Sequence, residues 1–243
     1  MKSRTIRTGL AILFFAAGIA ACGGGSSSNA PDGNSTVTPP DVTDVDGSGN
    51  TSVDLNRLRD ELAMIPLGTI SADEEAGLIF MREEEKLAHD VYVAMDAIWQ
   101  QNVFSNIAQA ETTHTEAVLL LLERYSITDP VGSNSDGVFV DASLQGLYDM
   151  LVAVGNATLI DALMVGAEIE ELDIVDLDNH LATIVDNDDI ILVYENLQKG
   201  SRNHLRAFIR ALEAQNTTYT PKYLSQAEFD EIINSPIETG GNG

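Results

Sequence analysis

From Asp54 onward, apolar residues recur every three or four positions and never alternate, so the chain predicts helices and no strands. A short helix over about 54–64 stops before Pro66. Ser71 with Glu74 three residues later carries the signature of a capping box and opens a long helix over about 72–100. Asn102 interrupts the pattern, and a second long helix follows over about 103–125. Residues 126–157 begin as a loop containing Pro130, Gly132 and Gly137, then carry a short amphipathic helix near 143–154. A third long helix covers about 158–182, a fourth about 189–215, and a small helix near 225–234 begins after Ser225. Short links make the first and second long helices, and the third and fourth, antiparallel neighbours. The long link between the second and third lets the chain return to the other end. The expected fold is all-α: a four-helix bundle with one long crossover between the second and third long helices, plus short accessory helices.

Polar residues that fall on the apolar stripes are the informative exceptions. The second long helix presents Ile107, Glu111, His114, Val118, Leu121 and Tyr125 along one face, so Glu111 and His114 sit in its middle. A buried carboxylate and imidazole are costly unless they are paired or bound to a metal. A single Glu-x-x-His arises easily by chance among 17 Glu and four His, so the other helices decide its weight. The fourth long helix runs Ile190, Tyr194, Leu197, Ser201, His204, Phe208 and Leu212, which puts His204 mid-stripe. On the first, Glu83, Glu84 and Glu85 span about 200° of helix, so at least one leans inward, with Glu84 nearest the stripe centre. On the third, Glu168, Glu170 and Glu171 interrupt a stripe set by Ile160, Leu163, Ala167 and Ile174; Glu170 and Glu171 lie nearest it. Each long helix thus offers an inward acid, a histidine or both, the constellation of a carboxylate-bridged dinuclear metal site. Oxygen ligands with a little nitrogen suit iron or manganese.

The N-terminus reads differently. Lys2, Arg4 and Arg7 precede the apolar run Gly9–Ala21, which is too short for a spanning helix of about 20 residues. Ile19-Ala20-Ala21-Cys22 resembles a bacterial lipobox, with residues 1–21 as signal peptide and Cys22 as the lipidation site. Gly23 after the cysteine resembles the outer-membrane sorting pattern of Gram-negative lipoproteins. The expected location is therefore the bacterial cell envelope, with the membrane a partner through the lipid anchor. Residues 22–53 are rich in Gly, Ser, Asn, Asp and Pro and read as a flexible tether, and residues 236–243 as a disordered tail. Asp44, Asp46, Ser48 and Gly49 faintly suggest a calcium loop, but Leu55 stands where that motif needs Glu. The formal charge of the chain is −25, and removing residues 1–21 leaves ten cations against 38 anions, a charge of −28. Such a surface excludes nucleic acid as a partner and favours metal cations. The sole cysteine excludes disulfide scaffolds and thiolate metal sites.

Four segments carry a resemblance to a known superfamily: REEEKLAHDVY (82–92), ETTHTEAV (111–118), GAEIEELDIVDL (166–177) and KGSRNHLRAF (199–208). Together they resemble the ferritin/rubrerythrin superfamily, and in particular an uncharacterised ferritin-like family called domain of unknown function 2202, over roughly residues 70–235. The resemblance implies that Glu85, with Tyr92 seven residues on, is a terminal metal ligand, with Glu84 as the alternative. It implies Glu111 as bridging ligand and His114 as terminal ligand, and Glu168 with Glu171 as the Glu-x-x-Glu of the third helix, Glu170 remaining an alternative to either. His204 would be the ligand of the fourth helix. There the pattern calls for Glu at 201 and the chain has Ser201, so one bridging carboxylate is missing. The implied cofactor is two iron ions, or an iron/manganese pair. Ferroxidase or peroxide-reducing activity is the implied chemistry, with Tyr92 or Tyr194 as hydrogen-bond or electron donors. A homodimer is compatible with this reading. The alternative is a non-enzymatic envelope module that binds another protein or sequesters cations.

Overall fold

The computed structural model describes residues 39–240; Cys22, the signal segment and the first part of the expected tether lie outside the described residues. The described chain is predominantly helical. In order come β1 (Thr43–Val45), β2 (Thr51–Val53), α1 (Leu55–Met64), α2 (Ala72–Trp99), α3 (Asn102–Arg124), α4 (Ala142–Gly155), α5 (Leu159–Thr183), α6 (Asp188–Ala214) and α7 (Gln226–Asn234). Each helix lies within two residues of its expected ends. Local chemistry sets several of these ends: Asp54, Asp141 and Thr158 cap α1, α4 and α5 with side-chain oxygens, and Ser71 and Ser225 form capping boxes with Glu74 and Glu228. Gln100 closes α2 in the left-handed conformation, so two residues suffice to turn the chain into α3.

Two helical hairpins result, α2 packed along α3 and α5 along α6, and they face each other with α2 against α5 and α3 against α6. The crossover from α3 to α5 carries α4, which packs on α2 and α5. The apolar interior forms two clusters. One is built around Tyr92, Phe104 and Phe208, the other around Leu78, Met81, Leu121 and Leu197. Gly166 on α5 makes room for the first, because a Cβ there would lie 2.3 Å from the Phe208 ring. No helix among the described residues is long and apolar enough to cross a membrane.

The two ends of the domain depart from the sequence expectation. Residues 39–53 belong to the stretch read as a tether, yet β1 and β2 pair antiparallel, Thr43 opposite Val53 and Val45 opposite Thr51. Asp46 builds the turn by accepting the Ser48 and Asn50 backbone N–H groups at 2.8 and 3.1 Å. Val42 and Val53 are buried, and each such side chain contributes about 1.5–3 kcal/mol. The backbone of the hairpin is held by helix side chains: Val42 N–H donates to Asn196 Oδ1 at 3.0 Å and Val53 N–H to Thr113 Oγ1 at 2.8 Å. Three valines amid Gly, Ser and Asp are too few to raise a strand signal, and the helix partners of Val42 and Val53 lie some 60 to 150 residues away. The expected disordered tail is likewise docked as far as Glu238. That carboxylate accepts from Arg202 at 2.6 Å and Arg206 at 2.9 Å, two guanidinium groups one turn apart on α6.

Glu74 joins the start of α2 to the turn before α6. One oxygen accepts the Ser71 N–H at 2.9 Å, and the other accepts the Asn187 side-chain amide at 2.8 Å and the Asp186 and Asn187 N–H groups. Burial opposes ionisation, but these donors outweigh it and hold the Glu74 carboxyl at about 2. A folded-state value below the unfolded one stabilises at neutral pH and is lost on acidification. Glu74→Gln is therefore expected to lower stability by about 1–2 kcal/mol near pH 7. In urea unfolding across pH, the gap to wild type should close as the pH falls from 4.5 toward 2.

Candidate metal centre

The inward faces of α2, α3, α5 and α6 meet at Glu111. Its two carboxylate oxygens face different imidazoles: Oε2 lies 3.0 Å from His114 Nδ1, and Oε1 lies 2.8 Å from His204 Nδ1. The rings lie nearly parallel with centroids 5.3 Å apart. Glu85 of α2 stands beside the first, its Oε2 3.5 Å from His114 Nδ1. Glu170 of α5 stands beside the second, its Oε2 3.6 Å from His204 Nδ1. Tyr92 orients Glu170 by donating to its Oε1 at 2.6 Å. All these side chains are buried, both histidines completely.

Of the expected site residues, Glu85, Glu111, His114 and His204 converge, and Tyr92 lies among them. Glu168 and Glu171 do not. Glu171 accepts from the Tyr219 hydroxyl and from the Lys222 and Leu224 N–H groups, while Glu168 pairs with Lys222. They fasten the segment before α7 to α5, because residues 168 and 171 lie about 200° and 100° round the helix from 170. Glu170 and Asp173 take the inward positions. Asp173 was absent from the sequence reading, although Glu170-x-x-Asp173 repeats the spacing of Glu111-x-x-His114. Ser201, where a glutamate was expected, donates its hydroxyl to Asp173, so α5 supplies a carboxylate that α6 lacks. Tyr194 lies instead beside His180, the rings stacked at 6.0 Å.

The three consecutive acids of α2 diverge. Glu83 accepts the Val140 and Asp141 N–H groups of the crossover, and Glu85 faces His114. Glu84 lies near Asp176 and Asp173, and burial together with those acids pushes its carboxyl well above the usual range.

Proton affinities follow from burial among like charges. Desolvation raises Glu85 to about 7 against the pull of His114. It also raises Glu170 and Asp173. Glu111 moves the other way: burial penalises its charge, but the two histidines outweigh that and hold its carboxyl well below the usual range. Desolvation disfavours a charged His114, yet Glu111 carries its affinity well above the ordinary histidine value. Among the described residues, every ion pair formed by Glu85, Glu111 and Glu170 is to a histidine.

The donor set fits a cation. Both oxygens of Glu85, one oxygen of Asp173, and the Nδ1 atoms of His114 and His204 are buried without a hydrogen-bond partner. Buried polar atoms are rarely left in that state. Glu111, His114 and His204 offer ligand atoms that all lie within 4.8 Å of one another. The outer ring nitrogens both meet the Thr51 peptide of β2: His114 Nε2 lies 2.8 Å from its C=O, the second hydrogen bond that a metal-ligating imidazole commonly makes, whereas His204 Nε2 accepts its N–H at 3.2 Å.

Gly200 lets α6 approach the His114 ring. A Cβ there would lie 2.5 Å from His114 Cε1 and 2.8 Å from Nε2. Helix propensity favours alanine over glycine by about 1 kcal/mol, but overpacking costs about 1–3 kcal/mol. Gly200→Ala is thus expected to lower the melting temperature, whereas Gly146→Ala, with nothing within 4 Å of its added Cβ, should raise it.

A family profile described as an uncharacterized protein domain, DUF2202, matches residues 74–236. The chain is 50% identical over 181 residues to the uncharacterized protein MJ0754 of Methanocaldococcus jannaschii, taking in 74% of this chain and 97% of that one. The crystal structure of hypothetical protein MJ0754 from Methanococcus jannaschii DSM 2661 is similar with a TM-score of 0.70 at 51% identity, covering 72% of this chain and 99% of that chain. Neither description names a ligand or an activity.

Proposed function

The chain belongs to the DUF2202 family, and from that premise we propose that it is a ferritin-like four-helix bundle with one crossover whose centre holds two iron ions, or an iron/manganese pair. One observation carries the reading. Glu111 turns one oxygen toward each of two buried imidazoles, the disposition of a carboxylate that bridges two cations. Glu85 with His114 would form one half of the centre and Glu170 with His204 the other. Asp173, held by Ser201, takes the place of the carboxylate missing from α6.

Bound iron would supply electron transfer toward O₂ or peroxide, so ferroxidase or peroxide-reducing activity is the proposed chemistry. The chain's own residues set the conditions. Glu111 holds the two halves in register, and Tyr92 fixes Glu170 through a 2.6 Å hydrogen bond. Phe208 packs on the Tyr92 ring and Phe104 on Phe208, so the surroundings of the tyrosine that holds Glu170 are apolar. A second reading, cation sequestration without turnover, is favoured by Ser201 standing where the pattern calls for a glutamate. Lys2 to Cys22 support export and lipid anchoring to the cell envelope, at the outer membrane in a Gram-negative cell.

Metal analysis after aerobic Fe(II) loading tests the centre. More than one equivalent is expected, and less than about 0.2 equivalents of any transition metal would overturn it. Metal should raise the melting temperature of the wild type and have little effect on Glu111→Ala/His114→Ala, or on Glu85→Gln if the double variant does not fold. Fe(II) oxidation that outpaces the protein-free rate separates the catalytic reading from sequestration. For the anchor, incorporation of labelled fatty acid in a bacterial host should vanish in Cys22→Ser.

A further inference from the structure

The hairpin reaches the centre through one peptide unit. Thr51 C=O lies 2.8 Å from His114 Nε2, and Thr51 N–H points at His204 Nε2 over 3.2 Å. A carbonyl can only accept, so His114 Nε2 must carry a hydrogen. A backbone N–H can only donate, so His204 Nε2 must present a lone pair. The two contacts therefore impose opposite demands on two rings that otherwise look symmetrical about Glu111.

Resting on the metal-centre reading above, we infer that the Thr51 peptide is a positioning element that makes the two imidazoles unequal. With the hairpin seated, His114 already carries on Nε2 the hydrogen that a ring ligating through Nδ1 needs, so a cation there replaces only a hydrogen shared with Glu111, while His204 keeps its hydrogen on Nδ1, facing Glu111. A cation at His204 Nδ1 must displace that hydrogen. The ring can stay neutral only by taking one up at Nε2, where the Thr51 N–H already sits. Filling the second half of the centre is thus coupled to release of the Thr51 N–H.

The peptide is held firmly enough for this. Thr51 is fully buried, its hydroxyl accepts the Asn203 side-chain amide at 2.8 Å and donates to Gly49 C=O at 3.2 Å. Its neighbour Val53 donates to Thr113 on α3, so β2 is fixed to the helices that carry the two histidines. The groups facing His204 are Glu111 and the stacked His114 ring from α3, Glu170 from α5 and Thr51 from β2, and at Nε2 the donor is the Thr51 N–H.

The test is ¹⁵N-histidine NMR of the full metal-free chain, followed by titration with Zn(II) as a diamagnetic probe. His114 is expected to carry a hydrogen on Nε2, and His204 on Nδ1 with a bare Nε2. A hydrogen on His204 Nε2 in the metal-free protein overturns the inference. During titration His114 Nδ1 should respond first, with the Thr51 amide still protected from exchange. Coordination at His204 should bring at least a tenfold loss of that protection; coordination of both rings with protection unchanged overturns the inference. Thr51→Pro, which removes the N–H, should tighten the second zinc at least tenfold relative to Thr51→Ala, which keeps it. Equal affinities overturn the inference. If zinc does not bind at all, the metal-centre reading fails, while the metal-free spectrum still decides the histidine assignment.

Discussion

Glu111 sits between two imidazoles and, among the described residues, forms no ion pair with a lysine or arginine, and the rest of the fold is arranged around that fact. Isolated carboxylates in a medium of low dielectric are among the most costly things a protein can bury. This chain nevertheless buries many acids, and how each is satisfied depends on where it lies. Toward the edges the compensation is ordinary. Asp90 pairs with Lys86, Asp189 with Arg124 and the Tyr125 hydroxyl, and Glu83 and Glu171 accept backbone N–H groups. At the centre the carboxylates have few donors, the Tyr92 hydroxyl for Glu170 and the Ser201 hydroxyl for Asp173. Glu85 and Asp173 keep unpartnered oxygens, and the imidazoles turn their Nδ1 atoms inward without a hydrogen bond. A fold that satisfies its peripheral acids this thoroughly leaves its central ones open where a cation can complete them.

The same electrostatics explains why the parts outside the long helices are ordered. An opening to water would weaken every interaction at the centre by raising the local dielectric. The hairpin covers the histidines on one side, with Thr51 reaching both outer nitrogens. The C-terminal segment is tied down by pairs outside the centre, Glu238 with Arg202 and Arg206, and Glu171 with the 219–224 loop. Segments with little apolar surface become structured because the helices present them with buried polar partners.

Much of this was legible from the chain alone, and what was not has a physical reason. Helix ends were visible because period, caps and breakers are local. Glu111, His114 and His204 were visible because they interrupt apolar stripes. The third long helix misled, since Glu168, Glu170 and Glu171 crowd one turn and a motif spacing favoured the outer two. The residue that settles the facing is Asp173, one turn on from Glu170, and a search for acids repeating at three residues would have found it. The hairpin was invisible for another reason: its stability rests on Asn196, Thr113 and His204, all remote in sequence, while its own residues read as linker. Local composition reports what a segment can do alone, and this segment is never alone.

The three consecutive glutamates of α2 carry the argument one step further. Successive residues on a helix point about 100° apart, so Glu83, Glu84 and Glu85 cannot share a task. All three are nevertheless buried, because α2 is enclosed by α3, α4 and α5 on different sides. Glu83 fixes the crossover that carries α4, and Glu85 meets the histidine of α3. Glu84 faces Asp173 and Asp176 on α5, where burial and like charge favour its neutral form. One turn of helix therefore ties the crossover, the centre and the opposite hairpin together. The family match begins at residue 74 and includes this turn and every inward residue of the centre, but not Thr51. The helices alone supply the buried glutamate and the two imidazoles that face it. The peptide that meets the outer nitrogens of those imidazoles comes from a strand that precedes the matched region, so the buried cluster and its outer contacts are carried by separate parts of the sequence.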